Sequence, residues 1–237
     1  MRDTKCQQQI AANPYNWPHD ASLNATTTAL VIIDMQRDFC EPGGYLAHQG
    51  YDITLTRAII PNILTLLTRC RDVGVPVYHT RESHRPDLAD LSHRELFRSR
   101  NNASGLGIGD RGPLGRLLIR GEAGCDTIPE LYPLPGGSEP VIDKPGKGAF
   151  THTDFELLLR IRGVRNLVLC GVTTDVCVHS TMREANDRGF DCVLLEDCCA
   201  AGEQELHDAA VEMVRMEGGV FGATARLADV LQALGGG

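Results

Sequence analysis

The chain has 237 residues, 42% of them hydrophobic and 23% charged, and carries a net charge of -8 at pH 7. This is the balance of a globular protein rather than a disordered segment, and the length suits one α/β domain. The negative charge repels nucleic acid and anionic lipid, and no basic stripe reverses it locally, so neither is expected as a partner.

Residues 1–28 form a polar arm that contains Asn13-Pro14 and Trp17-Pro18. The arm lacks the basic start and apolar run of a signal peptide, and no stretch of the chain has the length of a membrane span. The nine cysteines are odd in number, and Cys170 and Cys192 lie inside apolar runs. A reduced, cytoplasmic protein is expected, with residues 29–237 as a single domain.

Within that domain, five short runs rich in Val, Ile and Leu read as strands covered on both faces. They are Ala29–Asp34, Val75–Thr80, Glu139–Lys144, Asn166–Gly171 and Asp191–Glu196. A short sixth strand is read near Gly219–Gly222. Between the first two strands, Ile53–Val73 places Leu55, Ile59, Ile63, Leu66 and Leu67 on one helical side, and Gly74 is its stop signal. The stretch 83–130 is polar, Arg-rich and irregular, and reads as an insertion over the sheet edge or the mouth of a site. A helix over Phe155–Arg162 follows the capping-box pattern Thr153-Asp154-Phe155-Glu156. Two more helices, Cys177–Arg188 and Gln204–Glu217, end at Gly189 and at Gly218-Gly219. The alternation predicts a doubly wound, mostly parallel sheet with helices on both faces.

In such sheets ligands bind beyond the carboxyl ends of the strands. The residues there are Asp34, Thr80-Arg81-Glu82, Lys144, the segment Gly171–Cys177, and Asp197. An acid, a lysine and a cysteine thus converge on one edge. A thiol at a helix start, near an ammonium group, is expected to ionise easily, and the helix amides can hold an oxyanion. Asp34 ends an apolar strand, where a carboxylate needs a partner or a cleft. Each residue has an ordinary alternative: an inert buried thiol, a turn-capping acid, a solvated lysine. Their coincidence on three strand ends favours catalysis.

Other motifs carry less. Gly105-Leu-Gly107-Ile-Gly109 follows no strand and has the wrong spacing for a dinucleotide loop. Cys198-Cys199 lacks redox or zinc spacing, and His79, His84 and His93 form no metal-ligand set with a carboxylate. No cofactor and no metal are expected.

Three segments together resemble the isochorismatase-like cysteine hydrolases. They are Ile33-Asp34-Met35-Gln36-x-Asp38-Phe39, Asp143-Lys144-Pro145, and Gly171-Val172-Thr173-Thr174-Asp175-Val176-Cys177-Val178. The resemblance runs from about Ala29 onward and implies a Rossmann-like three-layer sandwich, homo-oligomeric as a dimer or tetramer. It implies Asp34, Lys144 and Cys177 as a catalytic triad, a cis peptide at Val172-Thr173, and an oxyanion hole from the Thr173 and Cys177 amides. Within the family, the cysteine argues for an amide or ureido substrate, and the Asp-x-His metal motif of nicotinamidases is not found.

The segments Phe39–Tyr45, His79–Asp90, Lys144–Gly148, Met182–Gly189 and Gly218–Gly222 are most similar to biuret and triuret amidohydrolases. Biuret hydrolases have Gln where this chain has Glu217. A carboxylate only accepts hydrogen bonds, which suits the extra N–H donors of triuret. Phe39 and Tyr45 are expected to wall the pocket, and Lys147 to bond substrate carbonyls. The expected reaction is attack of Cys177 on a terminal ureido carbonyl with Asp34 as base, ammonia release, and hydrolysis of a thioester to a product that loses carbon dioxide. The alternatives are hydrolysis of another N-carbamoyl compound, such as ureidoacrylate or N-carbamoylsarcosine, and a non-catalytic binding or redox-sensing role.

Overall fold

A computed structural model describes residues 8–235. Residues 1–7 of the expected arm and the last two glycines lie outside the described residues. Six strands form the central sheet: β1 (Thr28–Ile33), β2 (Val77–Glu82), β3 (Val141–Lys144), β4 (Asn166–Val172), β5 (Asp191–Ala200) and β6 (Ala223–Ala225). All pairings are parallel, in the order β3-β2-β1-β4-β5-β6. This is the doubly wound order that reverses between β1 and β4, and the reversal opens a crevice at their carboxyl ends.

The helices are α1 (Ile60–Val73), α2 (Phe155–Ile161), α3 (His179–Asp187), α4 (Gln204–Gly219) and α5 (Leu227–Ala233). α1 packs with α5 on one face of the sheet, and α2, α3 and α4 cover the other. β1 and β4 are buried at every position, as strands covered on both faces must be. The described part of the arm joins the same core. Ile10 and Trp17 are fully buried, and Asn13 bridges to Thr224 of the edge strand β6.

Several boundaries differ from the sequence expectation, each for a local reason. The helix expected over Ile53–Val73 is two, Thr54–Ala58 and α1, because Pro61 has no N–H to continue the first. β2 runs two residues beyond Thr80, so Arg81 and Glu82 pair with Asp143 and Lys144 of β3. β5 extends to Ala200 through an irregularity opposite Leu169 and Gly171, which makes Cys198 and Cys199 strand residues. The sixth strand lies at Ala223–Ala225 rather than Gly219–Gly222, since Gly219 and Gly222 have positive φ. At α2 the capping box does not form; Thr153 Oγ1 accepts from the Phe155 amide at 3.3 Å.

Gly171 governs how closely β1 and β4 approach. Its φ is 114°, and a Cβ there would lie 2.1 Å from the Ile33 carbonyl oxygen. Only glycine permits this contact at the point where the strand order reverses. The 83–130 insertion carries the short helix His93–Ser99 and a two-stranded ribbon, and buries Ile108, Leu117, Leu118 and Ile119. Asp38 fastens it to the body: its Oδ1 accepts from the Tyr45 amide at 3.2 Å and its Oδ2 from the Leu118 amide at 2.8 Å. A Cβ on Gly124 would fall within 2.6 Å of that carboxylate.

Candidate active site

Asp34 stands immediately past β1, in the left-handed region at φ 50°, and is fully buried. Its Oδ1 accepts the Thr80 hydroxyl at 2.6 Å, while Oδ2 lies 2.8 Å from Lys144 Nζ. The Lys144 ammonium also donates to the Gly146 carbonyl at 3.1 Å, so it bridges that carbonyl and the Asp34 carboxylate. Burial works against the Lys144 charge, but Asp34, Cys177 and Glu82 hold it protonated, above the usual lysine range.

Cys177 is buried on the other side of the crevice. It sits not at the first residue of an α-helix but inside a wide turn of π-helix, Thr174–Val178, that leads into α3. Such turns recur at functional sites. The Thr173 carbonyl accepts from the Val176 and Val178 amides at 3.2 and 3.1 Å, which closes the turn, and the Val172–Thr173 peptide before it is cis. Thr174 Oγ1 shares a hydrogen bond of 2.8 Å with His207 Nδ1 on α4, fixing the turn to that helix.

The expectation of an easily ionised thiol is corrected. Burial pushes the Cys177 thiol well up, and the charges of Asp34 and Glu82 raise it further against the pull of Lys144 and Lys147. Cys177 at rest therefore favours the thiol form, and its ionisation calls for a base.

Glu82, which the sequence placed at a strand end without assigning it a role, also belongs to this group. It is buried, accepts the Cys177 S–H at 3.7 Å through Oε2, and binds Lys147 Nζ at 2.5 Å through Oε1. Burial alone would raise its carboxyl, but Lys147, His84 and Lys144 pull it well below the usual range. A signal was available: β2 opposes β3 so that Glu82 faces Lys144 in register, and burial of an acid there needs cations. Asp34, Glu82 and Cys177 each offer a ligand-type atom within 4.8 Å of the others. Lys144 and Lys147 already occupy both carboxylates, so a metal ion placed there would meet two ammonium groups.

A cavity of about 160 Å³ opens onto this group, lined by Phe39, Tyr45, Glu82, Lys147, Thr173 and Cys177 among others. It is small against the roughly 300–1,000 Å³ of drug-sized ligand sites, and suits a compact substrate. The insertion supplies Arg98 to the same wall, paired with Glu95 at 2.9 Å. Phe39 and Tyr45 meet edge to face, with ring centroids 6.1 Å apart.

Glu217 is not brought to this cavity. The helix α4 starts beside the pocket, where Leu206 lines it, and runs back toward the amino ends of the strands. Glu217 lies 13 residues past Gln204, roughly 20 Å along the axis. It is exposed, and the chain turns out of the helix there, with Glu217 at φ 53°.

A family model described as the isochorismatase domain matches residues 28–226. A ureidoacrylate amidohydrolase, RutB, from Azorhizobium caulinodans is 32% identical over 218 residues, 91% of this chain and 94% of that protein. Among solved structures, a cysteine hydrolase from Pseudomonas syringae pv. phaseolicola superposes with a TM-score of 0.76 at 25% identity, covering 90% of this chain and 94% of that one. An isochorismatase family protein from Desulfovibrio vulgaris superposes at 0.71 with 27% identity, covering 88% and 98%.

Proposed function

Because the chain belongs to the isochorismatase family, and because its pocket joins a buried cysteine to an acid–lysine pair, we propose that it is a cysteine amidohydrolase. Its substrate in this reading is a compact, neutral ureido compound of the biuret or triuret kind. One observation carries the choice of a neutral substrate: every cation at the pocket is already matched. Lys144 pairs with Asp34, Lys147 with Glu82 and Arg98 with Glu95, while Asp175 adds a further acid to the lining. Arg81 and Arg85 are likewise taken, by Asp143 and Asp87. Among the described residues a substrate carboxylate finds no free cation at the pocket, whereas ureido N–H groups find acceptors. Glu217, far along α4, gives no basis for choosing triuret over biuret.

In this mechanism Asp34 takes the thiol proton as Cys177 sulfur bonds to a terminal ureido carbonyl carbon. The Thr173 and Cys177 amides are assigned as the oxyanion hole, where one donor is typically worth about 3 kcal/mol. The intermediate collapses by breaking the C–N bond, and Asp34 returns its proton to the departing nitrogen, which leaves as ammonia. Asp34 then deprotonates a water that cleaves the thioester, restoring the thiol and releasing a carbamate, which loses carbon dioxide unaided. Lys144 keeps the buried pocket near neutrality while the proton moves, and Phe39 and Tyr45 exclude water from the thioester.

The 32% identical ureidoacrylate amidohydrolase favours a second reading, in which Arg98 leaves Glu95 to bind a substrate carboxylate. Ammonia release across biuret, triuret, ureidoacrylate and N-carbamoylsarcosine separates the two. The neutral-substrate proposal expects the highest kcat/KM with biuret or triuret. A strong preference for ureidoacrylate that Arg98→Met removes would replace it.

A homo-oligomer, dimer or tetramer, belongs to the same proposal. Val176, Leu206, Met213, Met216 and Val220 leave an exposed apolar strip along α4 and the cysteine turn. Light scattering that returns a monomer at micromolar concentration would count against it.

A further inference from the structure

Two carboxylates face Cys177, and the mechanism above uses only Asp34. Glu82 is the second. One of its oxygens is committed to Lys147 at 2.5 Å and the other to the thiol at 3.7 Å. Its backbone is clamped by Gln36, whose Oε1 accepts the Glu82 amide at 2.8 Å and whose Nε2 donates to its carbonyl at 3.0 Å. Glu82 is thus a fixed anion at the pocket wall, with His84 Nε2 also 3.9 Å from Oε1, and the hydrogen bond that Oε2 accepts among the described residues is from the Cys177 thiol.

We infer that Glu82 is a catalytic residue that locks the thiol until substrate arrives. In the free enzyme its Oε2 holds the Cys177 proton and its charge opposes a second negative charge on sulfur. Ureido N–H groups of a bound substrate displace the S–H from Oε2. The sulfur–hydrogen bond then breaks toward Asp34 as the sulfur–carbon bond forms, and the carbonyl electron pair moves onto oxygen. Glu82 neither gains nor loses a proton. Its charge is spread over the substrate donors, so Lys144 and Lys147 outweigh it and the sulfur ionises. Selection of an N–H-rich substrate and activation of the nucleophile become one event, and a molecule without such donors meets an unreactive thiol. The displacing donors rest on the ureido reading of the substrate; the lock itself does not.

The test uses methyl methanethiosulfonate, a small thiol reagent with no N–H donor, and follows Cys177 labelling by peptide mass spectrometry. Ammonia release is measured on the same proteins. At pH 7, Glu82→Gln is expected to label at least about tenfold faster than wild type, the equivalent of one pKa unit. Its kcat/KM for ammonia release is expected to fall about tenfold or more. Lys147→Met, which removes a cation instead, is expected to label more slowly than wild type. Labelling of Glu82→Gln that is unchanged or slower overturns the lock, as does faster labelling with hydrolysis unimpaired. If Glu82→Gln does not fold, the wild-type pH profile decides: a labelling rate still climbing past about pH 9 supports the lock, and a plateau below about pH 8 overturns it. If the wild type hydrolyses none of the ureido compounds, the substrate reading fails while the labelling arm still judges the lock.

Discussion

Cys177 stands between two acid–lysine pairs that the fold builds differently. Asp34 and Lys144 are wholly buried and come from the ends of β1 and β3, with Thr80 as a third partner. Glu82 and Lys147 stand at the pocket wall, and Lys147 keeps 31% of its side chain exposed. The inner pair lies beneath the cavity lining, beside Cys177, and in the proposed mechanism serves the proton transfers. The outer pair lines the cavity and meets whatever binds there. One pair of charges, repeated at two depths, is proposed as a base in one place and as a receptor for N–H donors in the other.

Substitutions can break this comparison, and the largest effect is expected where both pairs stay intact and only the nucleophile changes. Cys177→Ser should reduce ammonia release by roughly 10⁴-fold or more while substrate binding, followed by calorimetry, persists. Turnover near the wild-type rate would remove Cys177 from the mechanism. Next come the inner pair. Asp34→Asn should lower kcat by about 10²–10⁴-fold, and Lys144→Met should also destabilise the fold by about 3–5 kcal/mol, since it strands a buried carboxylate. A denaturant titration checks the second value. The outer pair should separate from the inner one in kind. Lys147→Met is expected to raise KM more than it lowers kcat, with a smaller loss of stability of about 1–3 kcal/mol because Lys147 reaches water.

The outer pair also has a pH signature. The folded-state Glu82 carboxyl is held well below its ordinary value of 4.5, so the folded protein binds fewer protons than the unfolded chain in that interval. Its stabilisation is present above that value and is lost as pH falls. Thermal melts between about pH 5 and about pH 3 should therefore drop more steeply for wild type than for Glu82→Gln. The smallest effect is expected at Glu217. Glu217→Gln should leave kcat/KM unaltered for biuret and triuret and change stability by less than about 0.5 kcal/mol.

What the chain disclosed of this site in advance follows the same division. Asp34, Lys144 and Cys177 were legible because each ends or follows an apolar run, and the rule for open sheets sends ligands to those ends. Glu82 stood among the strand-end residues without a role, because the apolar pattern of β2 stops at Thr80, and only the pairing of β2 with β3 shows that the strand continues and buries an acid. The thiol was misjudged for a related reason. A helix start and a nearby lysine are local signals, whereas the burial and the two carboxylates that outweigh them are properties of the assembled crevice. Glu217 differs in the opposite direction: a short matching segment suggested a site residue, but the length of α4 places it away from the cavity, toward the amino ends of the strands. The parallel, doubly wound sheet and its main helices were readable from alternation, with errors at ends set by Pro61, by positive-φ glycines, by the pairing of β2 with β3 and by the irregularity in β5.

Gly171 fixes the gap between the base strand and the nucleophile strand by the atom it lacks. The spacing of Asp34 and Cys177 is thus gauged by main chain against main chain, and no side chain is available to adjust it. Variation of the pocket lining and of the 83–130 insertion can change what is recognised without disturbing that gauge. Any side chain at position 171 shifts it, together with every reaction the pocket performs. A saturation library should find this position as intolerant as the nucleophile, although Gly171 takes no part in any bond that is made or broken.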